Sequence, residues 1–236
     1  MAEAFLREEM LLGGAAMERL ARAHVAVFGV GGVGSYCCEA LARAGVGALT
    51  LVDSDTVSVS NLNRQLCALR STVGLPKAEV MAARVRDINP DCWVRPLVGL
   101  YSEEDKERFF APYDYIVDAI DLVSCKLSLI ETALARGIPI VSSMGTGNKL
   151  DPSQFRIEDI SRTQACPLAR VMRRELRARG ILHHQVLWSP EPARTPLPLE
   201  APPPGRRSIP GSVSWTPSVA GLMLAGHVVM ALTGTE

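Results

Sequence analysis

The chain has 236 residues, of which 47% are hydrophobic and 21% are charged, with 19 glycines and 16 prolines. This composition excludes a disordered, collagen-like or coiled-coil chain and predicts a globular protein. Lysine plus arginine and aspartate plus glutamate each total 25, which excludes the strong positive field of a histone-like protein. A nucleic-acid partner would therefore need a local basic patch.

Short apolar runs alternate with helical segments through the first two thirds of the sequence. The predicted strands are residues 24–28, 48–53, 93–98, 115–120 and 138–142. The predicted helices are residues 3–23, within an N-terminal segment 1–23 interrupted at Gly13-Gly14, and then 36–43, 77–88 and 123–135. This alternation predicts an α/β fold of the Rossmann-like, doubly wound kind, with a mainly parallel sheet.

The pattern loosens after Met144. A helix is predicted over residues 168–179, and residues 189–211 contain eight of the 16 prolines, which predicts an extended crossover loop. Too few residues follow this loop to build a second core, so we expect a single domain over residues 1–236. The apolar run 219–232 is shorter than the ~20 residues that cross a bilayer. It predicts a buried terminal helix and no stable membrane insertion.

The six cysteines contain no C-x-x-C pair, so neither a disulfide framework nor a structural zinc site is expected. The acidic N-terminus lacks the basic flank and apolar core of a signal peptide. We therefore expect a reducing, cytoplasmic setting, with all six cysteines structural. Cys166 is the one cysteine considered for covalent chemistry, and no activating group is visible beside it in the sequence.

A glycine cluster, Gly29-Val-Gly-Gly-Val-Gly34, follows the first predicted strand and opens a helix. Gly29, Gly31, Gly32 and Gly34 would let the backbone approach a phosphate at the helix N-terminus, and Asp53 ends the next strand, where a carboxylate can accept ribose hydroxyls. Tight packing between strand and helix is the alternative explanation for the glycines. The strand, helix and acid context favours nucleotide binding.

Charged residues follow the ends of the predicted strands. The sequence Asp53-Ser-Asp55 follows the second strand, Arg64 and Lys77 come later, and Asp121 follows the fourth strand. A triphosphate attacked at phosphorus needs cations on its phosphates and a carboxylate for Mg²⁺. Arg64 and Lys77 are candidate cations and Asp121 is the candidate magnesium ligand, although each alone could be a solvated surface charge.

Several motifs occur together in the order found in one superfamily. The chain resembles the adenylating enzymes of the ubiquitin-activating, ThiF and MoeB superfamily on these segments: Gly29-Val-Gly-Gly-Val-Gly34, Asp53-Ser-Asp55, Asn61-Leu-Asn-Arg-Gln65, Pro76-Lys-Ala78 and Asp118-Ala-Ile-Asp121. Three later segments resemble the branch that dehydrates threonylcarbamoyladenosine in tRNA: Met144-Gly-Thr-Gly-Asn-Lys-Leu-Asp-Pro152, Cys166-Pro-Leu-Ala-Arg-Val-Met-Arg-Arg-Glu-Leu176 and Pro210-Gly-Ser-Val-Ser-Trp-Thr-Pro217.

The resemblance implies an ATP-dependent enzyme with an ATP-binding adenylation fold. It implies adenylation of the threonyl carboxylate of the modified base, followed by attack of the ureido group, loss of AMP and closure of a ring. It assigns the glycines and Asp53 to the adenosine and ribose, Arg64 and Lys77 to the phosphates, and Asp121 to Mg²⁺. It also implies that Asn63 helps to hold the nucleotide.

Arg7 lies in a segment that resembles the N-terminal segment of the superfamily, whose arginine reaches the phosphates of the neighbouring subunit. The resemblance therefore implies a homodimer with two composite sites. An ordinary exposed helix arginine is the alternative interpretation of Arg7.

Four arginines, Arg170, Arg173, Arg174 and Arg177, follow the i, i+3, i+4, i+7 spacing of one helix face. This face suits an RNA backbone, and Arg206-Arg207 on the proline-rich loop could extend it. A solvated amphipathic face is the alternative.

Two other functions remain open from the sequence. One is ThiF- or MoeB-like adenylation of the C-terminus of a ubiquitin-fold sulfur-carrier protein, and a sulfur-relay protein is a possible partner in either case. The other is an NAD-dependent oxidoreductase or regulatory nucleotide-binding module, which would leave Arg64, Lys77 and Asp121 without a role.

Overall fold

The computed structural model describes residues 3–199 and 209–235 and contains one seven-stranded sheet in the order β3-β2-β1-β4-β5-β7-β6. Its strands are β1 His24–Phe28, β2 Ala48–Asp53, β3 Trp93–Val98, β4 Tyr115–Asp118, β5 Ile140–Ser143, β6 Arg156–Asp159 and β7 Gln185–Trp188. All neighbouring strands are parallel except β6 and β7, which pair antiparallel. The prediction of a doubly wound, mainly parallel sheet is confirmed.

Eight α-helices lie in the described part of the chain. They are α1 Leu6–Leu12, α2 Gly14–Arg22, α3 Gly34–Arg43, α4 Lys77–Ile88, α5 Lys106–Phe109, α6 Val123–Ala135, α7 Pro167–Ala178 and α8 Trp215–Thr233. Short 3-10 turns occur at Glu3–Phe5, Val59–Asn61, Arg70–Thr72, Pro152–Gln154 and Ile160–Arg162. The N-terminal helix breaks at Gly13, as the Gly13-Gly14 pair predicts. The structure describes residues 189–199 and 209–211 of the predicted proline-rich loop. Arg206-Arg207 lies outside the described residues.

The core consists of two layers, one on each face of the sheet. Successive side chains of β1 point to opposite faces, since strand residues alternate with period two. Val25 and Val27 join the layer formed by α2, α3, α4 and α8, whereas Ala26 and Phe28 join the layer under α6 and α7. Because β1 is buried on both faces, it has the continuous apolar sequence of a central parallel strand.

The terminal helix α8 packs against α3 and α2. It is long and apolar enough to cross a membrane by length and composition alone, with a mean hydropathy of 1.4. Half of the apolar stretch of α8 is buried inside the fold, and the core helix of a globular protein gives the same hydropathy pattern. This position agrees with a buried terminal helix.

One buried histidine, His184, immediately precedes β7. His184 Nε2 is 2.7 Å from Ser142 Oγ, and burial, with the nearby Lys126 ammonium, lowers the pKa of His184 to about 4. The ordinary histidine pKa is about 6.5, so between these values the unfolded chain binds one more proton than the folded protein. The His184 contribution to stability is therefore lost as the pH falls through this window.

Because of His184, we expect the free energy of unfolding to fall by about 3 kcal/mol as the pH is lowered from 6.5 to 4, at ~1.4 kcal/mol per pH unit. Urea unfolding of the wild type and His184→Gln across this range measures that difference. The variant should lose much less stability on acidification. His183→Gln is the matched control, because the His183 side chain is 82% exposed. Identical pH profiles for the wild type and His184→Gln would contradict this assignment.

Candidate functional site

A cavity of about 690 Å³ opens at the carboxyl ends of β1, β2, β4 and β5. The strand order reverses between β1 and β4, and ligands of open parallel sheets bind at such a switch point. The cavity has the size of a small-molecule site. Its wall brings together predicted site residues and one lysine that the prediction missed: Gly29, Asp53, Arg64, Lys77, Asp121 and Lys149.

The glycine loop connects β1 to α3 in a space that admits no larger side chain at two positions. Gly29 has a φ of +87°, and a Cβ there would lie 2.6 Å from the Ala119 carbonyl oxygen. A Cβ on Gly34 would lie 1.8 Å from the Gly29 oxygen, so Gly34 serves helix packing and does not line the cavity. Gly31 and Gly32 line the cavity. At Gly31 the nearest protein atom to a Cβ is 3.8 Å away, so packing alone does not require a glycine there.

Asp53 ends β2, and two backbone amides fix its carboxylate. Val30 N donates to Oδ2 at 2.6 Å, and Asp55 N donates to Oδ1 at 2.8 Å. Burial raises the pKa of Asp53, while these hydrogen bonds and Lys77 oppose the rise. Each oxygen still has a lone pair, so the carboxylate can also accept a hydroxyl such as that of a ribose.

Lys77 begins α4 and points into the cavity with its side chain only 6% exposed. Its Nζ lies 2.8 Å from Asp55 Oδ2, and its backbone N–H donates to the Asp55 carbonyl at 3.0 Å. Asp55 is 66% exposed, so the ion pair is open to solvent on one side. Asp55 thus orients the Lys77 ammonium, which can exchange its carboxylate partner for a phosphate oxygen.

Arg64 also lines the cavity, and burial lowers the pKa of its guanidinium. Its Nη1 donates to the Ser60 carbonyl at 2.8 Å and to Asn63 Oδ1 at 2.9 Å. Asn63 itself lies outside the cavity wall, and its Nδ2 donates to the Ser212 carbonyl at 2.9 Å. In this geometry Asn63 positions Arg64 and tethers the returning chain at Ser212 to the site.

Asp118, the last residue of β4, and Asp121, three residues later, have different surroundings. Asp118 is fully buried, and its Oδ2 is 2.6 Å from Nζ of the equally buried Lys126. Its Oδ1 accepts from Ile120 N at 3.1 Å, which fixes the turn leading to Asp121. Asp121 lines the cavity, where its carboxylate can meet a phosphate-bound Mg²⁺.

Lys149 and Cys166 also line the cavity, on segments that follow β5 in the chain. The Lys149 ammonium is buried and donates to the carbonyls of Ser189 and Glu191. Cys166 is the residue before α7, and all six cysteines are free and buried. Lys149 belongs to the quoted segment Met144–Pro152, but no site role was predicted for it because its burial depends on residues distant in the chain. Its burial depends on the start of the proline-rich segment, which supplies both of these carbonyls.

The arginine face of α7 is only partly available to an external anion. Arg173 Nη1 donates to the Thr163 carbonyl at 2.7 Å, and Arg174 Nη2 pairs with Glu175 Oε1 at 2.7 Å. Arg170 and Arg177 are exposed, and their guanidinium groups make no hydrogen bond or ion pair within the described ranges. Opposite them, Ala169, Met172 and Leu176 are buried, so the helix has the amphipathic character expected from its sequence.

Arg7 lies on α1 and is exposed. It is absent from the wall of the cavity in its own chain, and among residues 3–199 and 209–235 its side chain has no hydrogen-bond or ion-pair partner. Its predicted contact with phosphate would therefore need a second chain.

Fold and site together define a nucleotide-binding α/β protein with acids and cations at the carboxyl edge of its sheet. The chain belongs to the ThiF family, whose model matches residues 5–236. The resemblance derived from the sequence motifs is confirmed.

Three relatives show how far this similarity extends. The tRNA threonylcarbamoyladenosine dehydratase of Bacillus subtilis (strain 168) is 46% identical over 245 aligned residues, covering 98% of this chain and 95% of the relative. A solved structure of the Escherichia coli tRNA N6-threonylcarbamoyladenosine dehydratase in complex with ATP matches with a TM-score of 0.88 and 35% identity, covering 98% of this chain and 94% of that chain. The molybdopterin-synthase adenylyltransferase of Escherichia coli (strain K12) is 38% identical, but covers 53% of this chain and 50% of its own length. The near full-length matches favour the dehydratase branch.

The Asp118–Lys126 pair gives a stability prediction. Lys126→Met removes the only counter-charge that the described contacts give the Asp118 carboxylate, and should destabilise the fold by about 3–5 kcal/mol. Adding Asp118→Asn removes the buried charge while keeping an acceptor for Ile120 N, and should recover most of the loss. Urea unfolding of both variants measures this. A loss below about 1 kcal/mol for Lys126→Met would contradict the buried-pair assignment.

Proposed function

We propose that this chain is an ATP-dependent enzyme that dehydrates threonylcarbamoyladenosine in tRNA to its cyclic form. The observation that carries the proposal is the meeting of Arg64, Lys77 and Asp121 in one cavity with the glycine loop. Hydride transfer to a nicotinamide needs none of these three side chains. The similarity to a Bacillus subtilis enzyme named for this reaction, along 98% of the chain, supports the substrate.

The chemistry is activation of a carboxylate. The threonyl carboxylate attacks the α-phosphorus of ATP and displaces pyrophosphate, which gives an acyl-adenylate. The ureido nitrogen then attacks the activated carbonyl and loses its proton, and AMP leaves as the ring closes. Because nucleophile and acyl group belong to one nucleotide, the second step needs no diffusional encounter. The net change to the RNA is loss of one water.

The residues of the cavity divide this work between them. Asp53 accepts the ribose hydroxyls, while the amides of the loop at Gly31 and Gly32 face the phosphates. Lys77 and Arg64 stabilise the charge that develops on the phosphates as pyrophosphate leaves.

Mg²⁺ would be held by Asp121 together with the phosphate oxygens. No cluster of three or more His, Cys, Asp or Glu side chains arranged for a metal occurs within residues 3–199 and 209–235. A single carboxylate plus substrate phosphates fits the way proteins usually bind Mg²⁺. The ion would supply charge neutralisation at the triphosphate.

The assembly proposed here is a homodimer that works in the cytoplasm. The exposed apolar side chains of α1, Leu6, Met10 and Leu11, support burial of this helix against a second copy. Six free thiols are consistent with a reducing compartment. The exposed arginines of α7 are the proposed contact with the tRNA backbone, and a sulfur-relay or ubiquitin-fold partner remains a prediction.

The proposal is tested by mass spectrometry of nucleosides from tRNA that carries threonylcarbamoyladenosine, after incubation with the purified protein and ATP-magnesium. We expect loss of one water from the modified nucleoside, dependent on ATP and matched by AMP release. Unchanged tRNA in a preparation that binds ATP would overturn the proposal and redirect the search to a protein carboxyl terminus.

Site variants test the phosphate and magnesium roles. Lys77→Ala and Asp121→Ala should each reduce AMP formation at least 100-fold, an effect of the size seen when one charge-stabilising group is removed, while the thermal melting curve stays cooperative. Lys106→Ala and Asp87→Ala are matched controls outside the cavity. Near-normal AMP formation in both site variants would contradict the assigned roles.

Mixing two inactive variants tests the composite site. In a mixed dimer of Arg7→Ala and Lys77→Ala chains, one site combines an intact Lys77 with the intact Arg7 of the other chain. If Arg7 acts across the dimer, mixing should restore roughly a quarter of wild-type activity, because half of the dimers are mixed and each has one complete site. No gain on mixing, with exchange verified by a tagged chain, would assign Arg7 to its own subunit or to no role.

A further inference from the structure

Trp215 is a large aromatic side chain that remains 48% exposed in the fold. It is the first residue of α8, and its Nε1 donates to the Leu150 carbonyl at 2.7 Å. This hydrogen bond ties the indole to the segment that follows Lys149. The ring is thus held in a defined position while one side of it faces solvent.

The position of Trp215 relative to the cavity is set by its neighbours. Ser212 and Pro217, which flank Trp215 in the chain, line the cavity. Lys149 lines it too, and the next residue, Leu150, accepts the hydrogen bond from Trp215. Trp215 itself is absent from the wall. It therefore lies next to the cavity wall, at the rim formed by these neighbours.

Within the described ranges, one other Phe, Tyr or Trp side chain is exposed. Trp93 is 55% exposed, but it begins β3 and so lies at the amino edge of the parallel sheet, opposite the cavity. Its ring packs edge-on against His24, with centroids 5.5 Å apart. An exposed aromatic thus occurs at the cavity mouth in Trp215 alone, and Trp93 provides a natural control.

Helix α7 begins at the cavity and carries exposed arginines further along its length. Pro167 and Leu168 at the start of this helix line the cavity. Arg170 and Arg177 further along are exposed, and their guanidinium groups have no protein partner among the described residues. A flat apolar surface beside the cavity, with guanidinium groups beyond it, matches a single-stranded RNA segment, whose bases stack on aromatic rings and whose phosphates pair with arginines.

We propose that Trp215 stacks against an unpaired nucleobase of the RNA substrate and so helps to hold the reacting nucleotide at the cavity mouth. This inference rests on the proposed function, because it takes RNA as the substrate. Enzymes that modify a base must hold it out of the helical stack, and a fixed aromatic ring provides a surface that any base can use. Trp215 is therefore a substrate-binding residue, distinct from the groups that contact ATP.

The test compares three variants by their binding of an anticodon stem–loop RNA and by tRNA dehydration. Trp215→Leu and Trp215→Phe both lose the hydrogen bond to Leu150, and only the phenylalanine variant keeps a π-face. We expect Trp215→Leu to raise the Kd for the RNA and the KM for tRNA about tenfold, with the Kd for ATP unchanged. Trp215→Phe should stay within about threefold of wild type, and Trp93→Phe should match wild type.

A direct readout accompanies the kinetics. RNA binding should quench tryptophan fluorescence in the wild type and in Trp93→Phe, and the quenching should disappear in Trp215→Phe. Equal RNA affinity of the leucine and phenylalanine variants, or quenching that persists without Trp215, would overturn the inference. A wild-type protein that binds the RNA but fails to dehydrate it would overturn the proposed reaction and leave the stacking measurement valid. Absence of RNA binding in the wild type would overturn both.

Discussion

The close approach of three strand ends at Gly29 is the constraint on which the site depends. Gly29 N donates to the Val52 carbonyl of β2, and Ala119 N, just beyond β4, donates to the Phe28 carbonyl, each at 2.8 Å. The Ala119 oxygen occupies the space where a Gly29 side chain would begin. Asp53 follows Val52 and Asp121 lies two residues after Ala119, so the same contact brings the proposed ribose and magnesium ligands to one cavity. A side chain at Gly29 would separate these strand ends.

The groups around this contact already have partners before any nucleotide binds. Lys77 contacts Asp55, Arg64 contacts Asn63, and Asp53 accepts two backbone amides. Such contacts reduce the side-chain entropy lost on binding, since the cations are held near their working positions. The Lys77 pair is half open to solvent, which leaves its ammonium able to exchange a carboxylate for a phosphate. The fully buried Asp118–Lys126 pair has no such access and serves the fold.

The sequence predicts best where an element is long or bounded by clear signals. The bounds of β1, β2, β3, α4 and α6 agree with the prediction, because each has a sustained apolar period and turn residues at its ends. Strand β4 ends two residues early, at Asp118. Strands β6 and β7 were missed. Three of the four residues of β6 are charged and the strand lies at the sheet edge, so it has no apolar run that would predict it.

The site was predictable where it follows strand ends and not where it depends on tertiary contacts. Asp53 ends β2 and Asp121 follows β4, and both line the cavity as expected for residues at the carboxyl ends of strands. Lys77, at the start of α4, lines it too. Helical spacing groups four arginines on α7, but it cannot reveal that Thr163 binds Arg173. Lys149 and Trp215 lie in quoted motif segments, but no role was predicted for either, because residues 145–150 and 210–217 meet through contacts that no local pattern encodes.

The chemistry proposed for this cavity is activation of a carboxylate as an acyl-adenylate. A decisive measurement uses tRNA whose threonylcarbamoyl carboxylate carries ¹⁸O at both oxygens, with mass spectrometry of the released AMP. Attack on the α-phosphorus, followed by cleavage of the acyl carbon–oxygen bond on cyclisation, transfers one labelled oxygen to AMP. We expect AMP with one ¹⁸O atom for each cyclised nucleoside. Unlabelled AMP, or label found in inorganic phosphate with ADP as the product, would contradict it.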